Sequence, residues 1–275
     1  MTIETFYPRN EELKEYIESF YVLEHSEDEP AITYLTFPSV YSIVAALING
    51  ENVVSEDKIV SIESRSKTFD TSLVCRFNKP LCFEYHGNLK EICLYFKPLG
   101  LNAFLSQDLS NYSKTSFDEF APFDDYKTEI TALLDKNQKS KLGDNLENYW
   151  LSKLTGFNHP FMKDAVAKID GNIKTTTFQL AKEFNVSQKT LISEFKKHLC
   201  KTPSEYKKIL RFRRTLDEMN RSAHKTSLTE LTHLIEFFDQ SHMIANFKSL
   251  TGLTPKAFFK DLSSLENSNI HWIFS

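Results

Sequence analysis

Glycine is scarce in this chain, with 7 in 275 residues, and tryptophan and cysteine are scarcer still, at 2 and 4. So little glycine, with no low-complexity tract, excludes collagen-like and linker-like character and leaves an ordinary globular composition. The cysteines Cys75, Cys82, Cys93 and Cys200 form no C-x-x-C pair, which removes the usual zinc and dithiol patterns. Three of them stand in apolar, strand-like segments where a free thiol serves as a small hydrophobe. Long hydrophobic runs are missing too. The longest, VYSIVAALI at 40–48, is about half of what a bilayer span needs. MTIETFYPRN at the start has no basic region followed by an apolar one. A soluble, cytoplasmic protein with no membrane partner is expected. No G-x-S-x-G, Walker loop or dinucleotide fingerprint occurs. His25 and His86 stand apart from other ligand types, as structural or surface histidines do. No enzyme, cofactor or metal is expected.

Net charge is only −4, but it is unevenly spread. Before residue 158 there are 15 Lys+Arg against 25 Asp+Glu, and from 158 onward 18 against 12. A basic second half joined to an acidic first half points to a polyanionic partner for the second half alone.

Residues 1–97 read as short aromatic or β-branched strands: YVLEH, AITYLTF, VYSIVAALI, KIVSIES, TSLVCRF, LCFEYH and EICLYF. Polar or Pro/Gly breaks separate them, which is the rhythm of a barrel or sandwich. From Pro98 the period becomes helical, with Leu101, Phe104 and Leu105 on one stripe, and further helices are expected at about 123–137 and 139–154. TGFNHP at 155–160 marks a joint. The rest is helical. The expected class is α+β in two domains: 1–157, β-rich then helical, and 158–262, all-α, followed by a tail at 263–275.

The second domain repeats itself. FKKHLCKTP at Phe195 to Pro203 and FKSLTGLTP at Phe247 to Pro255 match across an offset of 52 residues. Leu180, Phe184 and Val186 fall on Leu231, Ile235 and Phe237 at an offset of 51. Each copy is an apolar helix, a turn of about four residues and a second helix, the pattern of a helix-turn-helix. Ser187 and Asp239 are placed to cap the second helices. The first free face carries Gln188, Lys189, Thr190, Ser193, Lys196 and Lys197; the second carries Gln240, Ser241, His242, Ala245 and Lys248. Hydrogen-bonding groups near a helix start, with lysines beyond, suit base edges and phosphates of double-stranded DNA. Thr202-Pro203-Ser204-Glu205 is a capping box with proline at the first helical position. It opens a long helix with Ile209, Phe212, Leu216 and Met219 on one stripe and Lys207, Arg211 and Arg214 opposite. Two readers held by such a rod could meet successive major-groove segments on one face of DNA.

Residues 158–262 resemble the AraC/XylS transcription regulators. The likeness is carried by SLTELTHLIEFFDQSHMIANFKSLTGLTPKAFF, with DQSH, FK, TG and TP at the family's places. The resemblance implies two helix-turn-helix units joined by a long helix, with Lys189, Ile192 and Ser193, and Ser241, His242 and Ala245, facing base edges. Ile192 is equally suited to core packing. Asn185 and Glu236 stand where the family's turns usually hold glycine, so the second turn is expected to be strained or differently shaped. No arginine stands among the base-facing residues, so recognition would lean on thymine methyls and on DNA shape. NLKEICLYFKPLGLNAFL at 88–105 resembles a strand-to-helix signature of the family's sensor domains, which implies a small-molecule effector or signal there and often the dimer contact. The expected function is a sequence-specific, homodimeric transcription regulator, meeting RNA polymerase if it activates. The alternative is a protein-interaction regulator that has kept the fold and lost DNA binding.

Overall fold

The structure, a computed structural model, describes residues 1–56, 58–134, 141–222, 228–237, 239–261, 263–264 and 271–274. The first part contributes ten strands: β1 (Thr2–Phe6), β2 (Ile17–His25), β3 (Ile32–Thr36), β4 (Ser42–Ile48), β5 (Gly50–Val54), β6 (Lys58–Glu63), β7 (Phe69–Val74), β8 (Leu81–His86), β9 (Leu89–Phe96) and β10 (Asp118–Glu119). They build two six-stranded sheets, completed by two strands from the C-terminus. One sheet runs β1-β2-β9-β4-β7-β10. The other includes β3-β8-β6-β5, antiparallel except for β6 beside β8. The sheets stay open and pack as a sandwich, so of the two expected forms the barrel does not close.

Alternation decides which face each residue serves. Strand β4, SIVAALI, is buried at all seven positions. Val44, Ala46 and Ile48 pack toward the helices, and Ile43, Ala45 and Leu47 toward the second sheet. A strand covered on both sides needs a continuous apolar run. Strand β8, LCFEYH, covered on one side, alternates buried and half-buried residues. The helical cover is α1 (Leu109–Tyr112), α2 (Tyr126–Leu133) and α3 (Leu142–Ser152), whose Trp150 packs edge-on to Phe96 and Phe104. Between strand and helices, a turn of 3-10 helix spans Leu101–Phe104. Gly100 precedes it, and a Cβ there would overlap the Tyr16 carbonyl oxygen, so the close crossing of the chain demands glycine.

The helical half comprises α4 (Met162–Gly171), α5 (Thr177–Glu183), α6 (Gln188–Leu199), α7 (Pro203–Arg221), α8 (Leu228–Leu234), α9 (Gln240–Thr251) and α10 (Pro255–Asp261). The joint before α4 is pinned: the backbone N–H groups of Thr155 and Gly156 both donate to the Ala103 carbonyl, at 2.9 and 3.0 Å. The stripe Ile209, Phe212, Leu216 and Met219 is buried in the core of this half. Phe37, Val40 and Leu99 from the sheet half enter the same core.

The tail is more than an appendage. Strands β11 (Ser263–Ser264) and β12 (His271–Phe274) join the edge of the second sheet, with β12 antiparallel to β3. Trp272 sits opposite Thr36 and is buried among residues of both sheets. Among the described residues, no helix is long and apolar enough to cross a membrane.

Candidate nucleic-acid interface

Both helix-turn-helix units form as the repeat implies. In the first, α5 leads to α6 and buries Leu180 against Leu191 and Phe195; in the second, α8 leads to α9 and buries Leu231 with Met243 and Phe247. The turns pivot on Asn185 at φ 53° and Glu236 at φ 57°. Both are left-handed at the positions where glycine is usual, so the turn shape is retained and Glu236 carries the strain. Lys174 pairs with the Glu236 carboxylate at 3.2 Å.

Each second helix begins at its expected cap. Ser187 Oγ accepts from the Thr190 N–H at 3.0 Å, and Asp239 Oδ1 accepts from the His242 N–H at 2.7 Å. Beyond the caps the hydrophilic flanks face outward. Gln188, Lys189, Thr190, Ser193 and Lys196 are exposed on α6; Gln240, Ser241, His242, Ala245 and Lys248 are exposed on α9. The structure thus presents two similar polar surfaces, neither covered by the sheet half. Ile192 is half-buried, between the two placements open to it. Thr190 also shares a hydroxyl contact of 2.8 Å with Ser187, and the His242 ring meets Phe237 edge-on.

Lys197 lies on the far edge of its flank, where its ammonium pairs with Glu194 at 2.7 Å. The opposite side of α6 docks on the sheet half. Asn102 Nδ2 donates to the His198 carbonyl at 2.9 Å, and Oδ1 of that amide faces His198 Nδ1 at 3.3 Å. Burial pulls the His198 pKa down, against the opposing charges of Asp108 and Glu194. Burial acts to raise the Glu194 pKa, but Lys197, His159 and His198 outweigh it and hold the carboxyl low.

His159, Glu194 and His198 are the group of side chains best placed for a metal among the described residues. Glu194 Oε2 lies 3.3 Å from His159 Nε2 and 3.4 Å from His198 Nε2. His159 Nδ1 accepts the backbone N–H groups of Phe161 and Met162, at 3.4 and 3.3 Å. Its own proton is then on Nε2, where it donates to Glu194 rather than offering a lone pair. At most two ligand atoms remain where a structural zinc needs four. The cluster fits a hydrogen-bonded lock.

Lys207, Arg211 and Arg214 do not form a free basic face for DNA. Lys207 Nζ donates to the Thr175 carbonyl at 2.9 Å, the Arg214 guanidinium donates to the Asp170 carbonyl, and Arg211 is half-buried. A stripe of cations can be bound to carbonyls as well as to solvent, and the helical period alone does not distinguish them.

Sequence reasoning missed the seam between the halves. Arg213 is buried, with Nε donating to the Pro38 carbonyl at 2.8 Å and an Nη to the Phe37 carbonyl. Lys201, also buried, donates to the Cys75 carbonyl, and burial lowers its pKa. The thiols of Cys75 and Cys200 hydrogen-bond across the same boundary. Eleven cations between 187 and 225 hid the two that turn inward.

A family model described as "Helix-turn-helix domain" matches residues 180–261. None of the curated proteins matches the chain. Among solved structures, apo ToxT from Vibrio cholerae strain SCE256 is 13% identical, with 88% of this chain and 97% of that one covered at a TM-score of 0.47. Unsaturated fatty acid bound wild-type ToxT from the same strain is 14% identical, covering 90% and 98%, at 0.46. ToxT from Vibrio cholerae in a P21 crystal form is 12% identical, covering 94% and 98%, at 0.43. The matched residues contain both turns, both caps and both outward flanks, so this part of the chain is a helix-turn-helix domain.

Proposed function

We propose that α6 and α9 enter two successive major-groove segments of double-stranded DNA. Gln188, Lys189, Thr190, Ile192 and Ser193 would meet bases in the first segment, and Gln240, Ser241, His242 and Ala245 in the second. Lys196 and Lys248 would meet phosphates, with Lys197 at the margin. The observation that carries this reading is that the same capped helix occurs twice with its polar flank exposed both times. Helix α7, 19 residues long, supplies a rod of roughly 28 Å between the units. Base contacts without arginine are weak singly, so a homodimer on paired sites would raise the effective concentration of each reader. Such a cytoplasmic regulator would meet RNA polymerase if it activates.

The β-rich half would modulate reading through the seam. The first reader's inner side is bonded to that half through Asn102, and α7 is bonded to it through Arg213. A change of state in the sheets therefore has a direct route to the spacing of the readers.

Salt titration of DNA binding tests the groove-reading role. Each of Lys196→Ala and Lys248→Ala should lower the slope of log affinity against log salt by about one, and Lys189→Ala should relax the sequence preference. Affinity independent of salt, or unchanged in the triple variant, rules the role out.

A further inference from the structure

Between the two sheets lies a pocket with about 30 Å³ of space, its lining divided between aromatic rings and buried polar groups. Glu91, 5% exposed, accepts from the Tyr85 hydroxyl at 2.8 Å and from Tyr21 at 3.4 Å. Ser72 Oγ, in the same lining, is buried with no hydrogen-bond partner. A buried carboxyl and an orphaned hydroxyl are costly in an apolar interior unless something is meant to meet them. The empty space holds one or two waters, too little for an organic molecule.

The reason for the lack of space is Trp272. Its ring stacks on Tyr34 at 4.5 Å and meets Tyr21 edge-on at 5.5 Å, closing the cavity from the sheet edge. It arrives on β12, which is held by three residue pairs with β3 and, on its other side, by the two-residue strand β11. A four-residue strand near an edge has few ladder bonds to lose. Strand β12 also lies downstream of α10, so the reading half supplies the plug of the sheet half.

We propose that the space filled by Trp272 is a ligand site for an organic ammonium ion with an aromatic body. The ligand takes the indole's place against Tyr34 and Tyr21 and sets its cationic nitrogen on Glu91, while β12 leaves the sheet edge to admit it. This inference rests on the reading of the β-rich half as the modulating half. A cation is the class that both parts of the lining attract: the carboxylate by charge and the ring faces by their quadrupoles. An anion would oppose the ionisation of Glu91 and meet the negative ring faces, and a neutral alcohol would gain only a hydrogen bond. Burial holds the Glu91 carboxyl up at about 7, so a bound cation would drive it to ionise and release its proton. Departure of β12 would free the tether that joins α10 to the sheets, which couples occupancy to the readers.

Calorimetry on the full chain tests this with three probes that share an indole: tryptamine, the neutral tryptophol and the anion indole-3-acetate. Trp272→Ala empties the site. Tryptamine is expected to bind that variant about tenfold tighter than it binds the unaltered chain, and about tenfold tighter than tryptophol binds the variant. Adding Glu91→Gln should erase the preference over tryptophol. Near pH 6, below the Glu91 value of about 7, binding should release a proton. Equal binding of the three probes, preference for indole-3-acetate, or no binding to the folded variant overturns the proposal. If Trp272→Ala does not fold, Trp272→Leu replaces it with the same expected order. DNA affinity measured alongside separates the two readings. Tryptamine binding that leaves DNA affinity unchanged supports the site and removes the modulating role. Absent binding with DNA reading intact removes the site alone.

Discussion

Arg213, just past the middle of the long helix, donates its Nε to the carbonyl of Pro38, just after β3, at 2.8 Å. With its second donor on the Phe37 carbonyl, this guanidinium joins the helix-turn-helix half to the β-rich half. The Phe37 ring lies against Phe212 and Phe258 of the helical core, so the polar contact is set inside an apolar one.

Arg213→Ala should therefore lower stability by about 3 kcal/mol, because two buried carbonyls lose a charged donor and packing is lost with it. Arg213→Lys should recover only a part, since one ammonium cannot reproduce the planar fork. Denaturant unfolding of the three chains checks both statements. DNA affinity should change too, since the variant loosens the seam without touching a reader.

The caps give a second expectation. Ser187→Ala and Asp239→Ala each remove the acceptor for an N–H at the start of a reading helix. Each should cost about 1 kcal/mol in denaturant unfolding. DNA affinity should fall as well, because fraying begins at the residues proposed to meet bases.

The turns show what was legible. Their positions could be read because Asn185 and Glu236 fall where a glycine is usual, and both are left-handed. Glu236→Gly should stabilise the chain by up to about 1 kcal/mol, reduced by the loss of the exposed pair with Lys174. Asn185→Gly should be close to neutral, since asparagine tolerates this conformation. Thermal unfolding of the two variants checks the contrast, and equal shifts would contradict it.

Repetition, caps and apolar period are local signals, so the helix-turn-helix units and all seven of the expected strands were legible in the sequence. The strands β1, β5 and β10 and the tail strands were not. GENVV and HWIF are short, and each becomes a strand only because a distant edge is there to pair with it. Arg213, Lys201 and Glu91 were missed for a related reason. The type of residue says that a charge exists, and only tertiary contact says that it faces inward. One cue did exist in EICLYF: an acid running directly into five apolar residues, all of them buried.

Glu91 provides the last expectation, with its sign set by burial. Desolvation raises its carboxyl from an ordinary value of 4.5 to about 7, against the lowering effect of the Tyr85 and Tyr21 hydroxyls. The folded chain thus holds this proton where the unfolded chain has released it. The contribution to stability is fully present below the unfolded value and is lost as pH rises through about 7. Glu91→Gln keeps the shape and removes the ionisation. Relative to the unaltered chain, the variant should gain stability as pH rises over that window, by an amount on the order of 3 kcal/mol, and gain nothing further above it. Denaturant midpoints at a series of pH values check this: parallel curves for the two chains would mean that Glu91 is already ionised in the folded interior, held by a charge other than the two tyrosines.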